Sequence, residues 1–128
     1  MSSGRLGSLR GLSSYSTREV WMIRVLYRFK VANNHADAFV ESWSKSTEEF
    51  REEVQGAFGS QLFRSRENPG EFVALARWSS WEEWEAFRHS ASPARDAVTK
   101  MLSVSELVST ETFEEVKDQL SQVAVAQR

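Results

Sequence analysis

The sequence predicts an α+β fold in which one antiparallel sheet of four strands carries helices on one of its faces. Segments with strand-like alternation of apolar residues occur four times. Segments with helical spacing separate the first from the second and the third from the fourth. The 128 residues have the length of one domain. We therefore expect the order β-α-β-β-α-β, which is that of a ferredoxin-like domain.

The first strand is predicted at residues 21–31, where apolar and other residues alternate. One face of this strand is apolar throughout and contains Ile23, Val25, Tyr27, Phe29 and Val31. The other face places Met22 and Leu26 among basic residues, so it is only half apolar. Asn33 and Asn34 then predict a turn, since asparagine tolerates left-handed backbone.

A long amphipathic helix is predicted next and extends to about residue 54. Its apolar stripe has three- and four-residue spacing and contains Ala36, Phe39, Val40, Trp43, Thr47, Phe50 and Val54. Gly56 is the expected helix stop. Two strands follow at 58–66 and 72–78, joined by a turn at Asn68-Pro69-Gly70.

The second helical region is predicted in two pieces. Ser80 and Glu83 have the spacing of a capping box, which predicts the start of a short helix there. Pro93 predicts the first position of another helix, because proline is tolerated where no backbone donor is needed. The fourth strand is predicted at 108–116, where threonines and Phe113 suit a pleated surface.

The domain is expected to span residues 19–117. Residues 1–18 are rich in serine and glycine and are predicted to be a disordered tail. Their leucines and arginines bear a faint similarity to an organelle transit peptide, but we favour the tail and expect a cytoplasmic protein. Residues 118–128 are predicted to be a second tail or a short docking helix.

Composition excludes several classes of function. There is no cysteine, and His35 and His89 are the two histidines, far apart in sequence, so a protein-built metal site is not expected. The net charge of −2 points to neither nucleic acid nor a membrane surface, and no apolar run approaches a membrane span. Five Trp and eight Phe could fill a core or line a small-molecule pocket.

The half-apolar face of the sheet predicts a second copy of the chain. A lone four-stranded sheet with helices on one side leaves its other face bare, and here that face carries Met22 and Leu26. A partner's sheet would cover it in a twofold homodimer.

Several stretches together follow the pattern of one known protein family. The first are the helix with an internal Trp43 and the following Gly56-Ala57-Phe58 and Gln61-Leu62-Phe63-Arg64-Ser65. The others are the turn at Pro69 with Phe72 to Ala76, Trp78-Ser79-Ser80-Trp81-Glu82 and the final Phe113-Glu114-Glu115-Val116. In these stretches the chain resembles the antibiotic-biosynthesis monooxygenase family. The resemblance covers about residues 20–117. It implies a dimeric α+β barrel with a pocket between sheet and helices. Several members oxidise aromatic polyketides with molecular oxygen and without metal or flavin, others degrade haem, and some have no known activity.

The chain departs from the family at several positions that the resemblance aligns. Trp78 matches the tryptophan at the end of the third strand. Ala74 stands where the anthrone-oxygenase branch has an asparagine, and Trp84 stands where that branch has a tyrosine. The catalytic asparagine of the haem-degrading branch falls near Tyr27, and that branch's tryptophan and histidine fall near Phe87 and Ala97. No haem ligand survives, so haem degradation is disfavoured.

Oxygenation without a cofactor requires a dry aromatic pocket, a proton acceptor and donors that stabilise an anion. The candidate catalytic residues are Tyr27 and Trp78 as hydrogen-bond donors and His35 or His89 as base. The candidate substrate-binding residues are Trp43, Trp84, Phe87, Arg64 and Arg77, the arginines as partners for an anion. For each of them, ordinary packing or surface exposure is the alternative.

Three functions remain open at this point. The first is a metal- and flavin-free oxygenase acting on an aromatic or quinol-like molecule. The second is a non-catalytic dimeric module that binds a hydrophobic small molecule. The third is a structural protein whose pocket is filled by its own aromatic side chains, which a cavity well under roughly 300 Å³ would favour.

Overall fold

The computed structural model of the protein describes residues 8–9, 11–16, 22–90 and 93–121, with side chains described for 22–90 and 96–121. In chain order the strands and helices are β1 Ser8–Leu9, β2 Gly11–Ser16, β3 Ile23–Lys30, a 3-10 helix Asn33–His35, α1 Ala36–Glu53, β4 Ala57–Arg64, β5 Glu71–Trp78, α2 Trp81–Arg88, α3 Pro93–Leu102 and β6 Glu106–Glu114. Strands β1 and β2 form a small sheet of their own within residues 1–18.

The main sheet has the order β4-β5-β3-β6, and every neighbouring pair in it is antiparallel. The predicted α+β, ferredoxin-like architecture is therefore confirmed. The fourth strand, β6, begins and ends two residues earlier than predicted. Its early start follows from pairing, because Glu106 lies opposite Lys30 and Leu107 lies opposite Phe29 in the register with β3.

The helices bury the inner face of this sheet, which we define as the face that carries Val25 and Phe29. Phe39 of α1 is fully buried, and its ring centroid lies 5.1 Å from those of both Phe29 and Phe72. Burial of such rings is the main favourable contribution to folding of a domain this small. The strict alternation on β3 thus fixes which residues face the helices.

The turn between α1 and β4 also holds the start of α2. Gly56 has a backbone φ of 88°, and its carbonyl accepts a hydrogen bond of 2.9 Å from the Ser79 amide. The Ser80 hydroxyl accepts a hydrogen bond of 3.1 Å from the Glu83 amide, which confirms the predicted cap. These contacts set the direction in which α2 leaves β5.

The outer face of the sheet carries a charged cluster that anchors the chain after β6. Arg77 donates two hydrogen bonds of 2.8 Å to the Glu115 carboxylate, and Arg24 donates a third of 3.0 Å. The Arg77 guanidinium is the main cause that lowers the pKa of the Glu115 carboxyl, and Arg24 adds to the effect. Asp118 lies 3.7 Å from Arg77, so the segment after β6 stays close to the outer face.

In the part of the chain that the structure describes, no helix combines the length and apolarity that a membrane span requires.

Candidate functional site

A cavity of about 260 Å³ lies between the inner face of the sheet and the three helices. Its floor is formed by Tyr27 and Phe29 of β3 and by Ala74, Ala76 and Trp78 of β5. The two alanines have almost no exposure, yet their methyl groups occupy little of the space above the strand. The cavity therefore exists because two small side chains lie among the large aromatic side chains of the floor.

Aromatic side chains from two helices form the cavity walls. Trp43 and Phe50 approach from α1, and Trp84 and Phe87 approach from α2. The Phe87 ring centroid lies 4.9 Å from that of Phe50 and 5.5 Å from that of Trp78. These ring–ring contacts pack the aromatic side chains against one another. They form an apolar wall of the kind that lines small-molecule sites.

The main polar feature of the cavity is a phenol–indole pair. The Trp84 indole Nε1 donates a hydrogen bond of 3.1 Å to the Tyr27 hydroxyl. This bond joins β3 to α2 and fixes the position of the phenol oxygen. The Ser46 hydroxyl, also in the lining, donates to the Trp43 carbonyl at 2.9 Å and so is already satisfied.

The Ser60 hydroxyl is a second polar group of the lining. Its oxygen is buried and has no hydrogen-bond partner in the structure. An unsatisfied buried hydroxyl costs free energy unless a ligand or water completes it. Ser60 follows an irregularity in the β4–β5 pairing, which explains how a polar side chain comes to lie there.

The rim of the cavity includes three partly exposed side chains, Arg88, Leu102 and Leu107. Arg88 is the last residue of α2, and its guanidinium carbon lies 4.7 Å from the centroid of a Trp84 ring. This distance is that of a cation–π contact.

The comparison with protein families matches residues 22–100 to the model described as antibiotic biosynthesis monooxygenase. This range extends from β3 to all but the last two residues of α3, and it includes most of the cavity lining. The chain belongs to the antibiotic biosynthesis monooxygenase family. A search of curated proteins returned no significant match.

Several solved structures share the fold of this monooxygenase-family chain. A cofactor-independent oxygenase of Streptomyces nogalater, SnoaB, is 19% identical with a TM-score of 0.59; the alignment covers 78% of this chain and 96% of SnoaB. A conserved protein of unknown function from Bacteroides thetaiotaomicron is 21% identical with a TM-score of 0.63, over 76% of this chain and 100% of its own. A conserved protein from Methanosarcina mazei is 17% identical with a TM-score of 0.60, over 77% and 95%.

Five of the residues predicted for the site lie together in this family member. Tyr27, Trp43, Trp78, Trp84 and Phe87 all line the cavity. They come from β3, α1, β5 and α2, so their convergence follows from the way the helices pack on the inner face. Trp78 is only 3% exposed, so it is a buried residue of the cavity floor.

The other four predicted residues lie outside the cavity lining. His35 is exposed ahead of α1, and His89 is exposed just after α2, 3.6 Å from Glu85. Arg64 donates to the Pro69 carbonyl at 2.8 Å and stacks 5.0 Å from the Phe72 ring centroid. Arg77 belongs to the outer-face cluster with Glu115, because odd residues of β5 point away from the helices.

Sequence reasoning missed several parts of the site. Ala74 was identified only as the residue that replaces the family's asparagine and Ala76 only as a strand residue, although alternation places both on the same face as Trp78. Ser60 could not be identified from the sequence, since the burial of its hydroxyl without a hydrogen-bond partner depends on the irregular pairing of β4 with β5. Arg88 could have been found from helical spacing, because it is four residues after Trp84 and therefore on the same side of α2.

Among the residues that the structure describes, no three His, Cys, Asp or Glu side chains come together in a way that could hold a metal ion.

Proposed function

We propose that the protein is a cofactor-independent monooxygenase that acts on a small aromatic or quinol-like molecule held in the cavity. The observation that carries this proposal is the hydrogen-bonded Tyr27–Trp84 pair inside a cavity with mainly aromatic and aliphatic walls. Family membership adds support. So does SnoaB, a protein of the same fold described as a cofactor-independent oxygenase.

The reaction requires that the protein transfer a proton and exclude water from the substrate. The substrate carbon loses a proton, and the resulting anion passes an electron to oxygen. Recombination gives a hydroperoxide that loses water, so R₂CH₂ and O₂ become R₂C=O and H₂O. Tyr27 is proposed to take the carbon's proton as the phenolate and to return it to the peroxide anion, because its oxygen is held inside the aromatic cavity by the Trp84 N–H donor. Trp84 then acts as a positioning residue for Tyr27, and Trp78 as the surface on which the substrate ring lies.

The histidines do not enter this proposal. His89 is 77% exposed, and neither His35 nor His89 lines the cavity. A general base must be within hydrogen-bond reach of the proton that it removes. Arg64 and Arg77 are left out for the same geometric reason, since both have partners elsewhere on the sheet.

A non-catalytic binding module is the second candidate. The observation that favours it is the floor itself, where Ala74 contributes a methyl group in place of a polar contact. A purely structural protein would have a cavity well under the roughly 300 Å³ at which ligand sites begin. The cavity of about 260 Å³ is close to that limit and is not filled by the protein's own rings, which counts against this alternative.

Oxygen uptake by metal-free protein distinguishes the two. Against a panel of one- and two-ring quinols and naphthols, we expect uptake above the uncatalysed rate that falls about 10²- to 10⁴-fold in Tyr27→Phe, since the proton-transfer group is lost. Trp84→Phe should also lower the rate. Trp81→Phe is the matched control, because Trp81 is a neighbouring indole on α2 that does not line the cavity.

If folded protein shows no uptake across the panel, the binding module is favoured. Equal uptake in the wild type and Tyr27→Phe would refute the role given to Tyr27.

We also propose that the protein is a homodimer in which two outer faces pack together. Register places Leu26 beside Leu75 at the centre of the outer face, with Phe63 and Phe113 on the outer strands. Phe63 is 51% exposed and Phe113 48% exposed. Apolar side chains grouped on one face of a sheet are typical of an interface.

Sedimentation at micromolar concentration tests the assembly. We expect about twice the 14.6 kDa of one chain. A shift to monomer is expected in Phe63→Glu, because a carboxylate would replace an apolar ring that lies opposite Val73 on the outer face. Val40→Glu is the matched control, since Val40 is a half-exposed residue of α1 on the other side of the molecule. A wild-type species of 14.6 kDa alone would contradict the proposal.

A further inference from the structure

The charge of the cavity points to the kind of ligand it takes. Among the lining residues that the structure describes, Arg88 is the single charged one, and no carboxylate faces the same space. The remaining lining is apolar apart from hydroxyls and indoles. A single cation at the mouth of a cavity whose lining contains no carboxylate favours an anionic ligand, because a ligand bound there displaces water from the guanidinium and so strengthens the attraction.

The position of Arg88 suits a contact at the rim. Its side chain is 50% exposed, while the Trp84 ring beneath it is almost fully buried. The guanidinium lies 4.7 Å from the Trp84 ring centroid, so the indole holds it over the rim. The same indole donates to Tyr27, so Trp84 contacts both the guanidinium at the rim and the phenol inside the cavity.

Glu85 competes only weakly for Arg88. The separation between Arg88 Nη1 and Glu85 Oε2 is 3.4 Å, and both side chains are about half exposed. Exposed pairs of this kind on one helix contribute little, and water screens them. A guanidinium has five N–H donors in a planar fork, so it can bind a carboxylate while keeping this contact.

The cavity volume limits the size of the ligand. About 260 Å³ is below the roughly 300–1,000 Å³ of sites for drug-sized molecules, so a body of one or two rings fits better than a larger polycycle. We propose that the ligand is a small aromatic anion, a carboxylate or phenolate of one or two rings, whose rings enter the cavity and whose charge meets Arg88. This inference rests on the proposed function, since it specifies the substrate class of the same site.

The test compares two probes that share a ring system and differ in charge. Binding of 2-naphthoate and of neutral 2-naphthamide is followed by isothermal titration at low salt. In the wild type, we expect 2-naphthoate to bind more tightly. Arg88→Gln should weaken 2-naphthoate about 10- to 100-fold, the range for a hydrogen bond to a charged group, and leave 2-naphthamide unchanged.

The control variants distinguish the effect of the positive charge at the rim from a general effect of removing an arginine. Arg64→Gln is the matched variant, because Arg64 also stacks on an aromatic ring but lies outside the cavity. It should bind both probes like the wild type. Arg88→Lys keeps the positive charge and should retain a preference for the anion, which remains informative if Arg88→Gln folds poorly.

Three outcomes would overturn the inference. Equal binding of the two probes by the wild type, or unchanged 2-naphthoate affinity in folded Arg88→Gln, refutes the role of Arg88 and leaves the aromatic site of the proposed function standing. Failure of folded wild type to bind either probe counts against the site itself and therefore against both proposals.

Discussion

Gly56→Ala is expected to lower the free energy of unfolding by about 2–5 kcal/mol. A left-handed backbone costs a residue with a side chain about 1–2 kcal/mol, and overpacking adds about 1–3 kcal/mol. Gly56 has φ 88°, and an added Cβ would lie 2.7 Å from Glu83 Cβ and 2.6 Å from Ser79 Oγ. Since Glu83 Cβ is tied to the backbone of α2, relief requires that the whole helix move. Because α2 carries Trp84 and Phe87, ligand binding should weaken together with stability.

Gly59→Ala is the matched control for this effect. Gly59 has φ 98°, but its added Cβ would meet the flexible side chain of Arg51, with Cδ at 3.2 Å. We therefore expect only the backbone cost, about 1–2 kcal/mol. Urea unfolding of both variants measures the difference. Equal losses of stability would show that the contact of Gly56 with α2 contributes nothing.

Ala74→Leu is expected to have the largest effect on ligand binding. Ala74 is 1% exposed and lies on the cavity floor, so a leucine would place three further carbon atoms in the space proposed for the ligand. We expect at least a 100-fold loss of affinity for 2-naphthoate. The cost in stability should be within the range of about 1–3 kcal/mol for overpacking, and smaller if the cavity accepts the added side chain.

The fold was predictable because local patterns agree with tertiary burial. The apolar alternation of β3 places Val25 and Phe29 on the covered face, and Phe39 of the predicted helix stripe packs on them. The cap at Ser80 was predictable from its spacing to Glu83 and is confirmed. The family resemblance is likewise confirmed by the match over residues 22–100.

The site was only partly predictable, because a cavity is defined by what surrounds an empty space. Large aromatic residues such as Trp78 and Trp84 stand out in a sequence, whereas Ala74 shapes the cavity by being small. The arginines show a different limit. Arg77 and Arg88 look alike in sequence, but one turns to Glu115 on the outer face and the other lies at the cavity rim. Strand alternation already places Arg77 on the face away from Trp78, but only the packing of α2 on the sheet shows that Arg88 lies at a cavity rim.

The partner of Glu115 also depended on long-range geometry. Arg24 and Arg77 are 53 positions apart in the chain and become neighbours only because β3 pairs with β5 in a register that places them opposite each other. Two adjacent guanidinium groups repel unless an anion lies between them. The Glu115 carboxylate meets that need, which explains why the chain after β6 follows the outer face.

The central claim is that the cavity between the sheet and the helices is where the ligand binds. Its most direct test is a 2-naphthoate titration of wild type, Ala74→Leu and Ala38→Leu, each shown to be folded. Ala38 is an exposed alanine of α1 outside the cavity lining, so the same substitution there adds bulk away from the cavity. We expect saturable binding by wild type and Ala38→Leu and at least a 100-fold weaker affinity in Ala74→Leu. Binding by Ala74→Leu with wild-type affinity would contradict the claim and place the ligand elsewhere on the molecule.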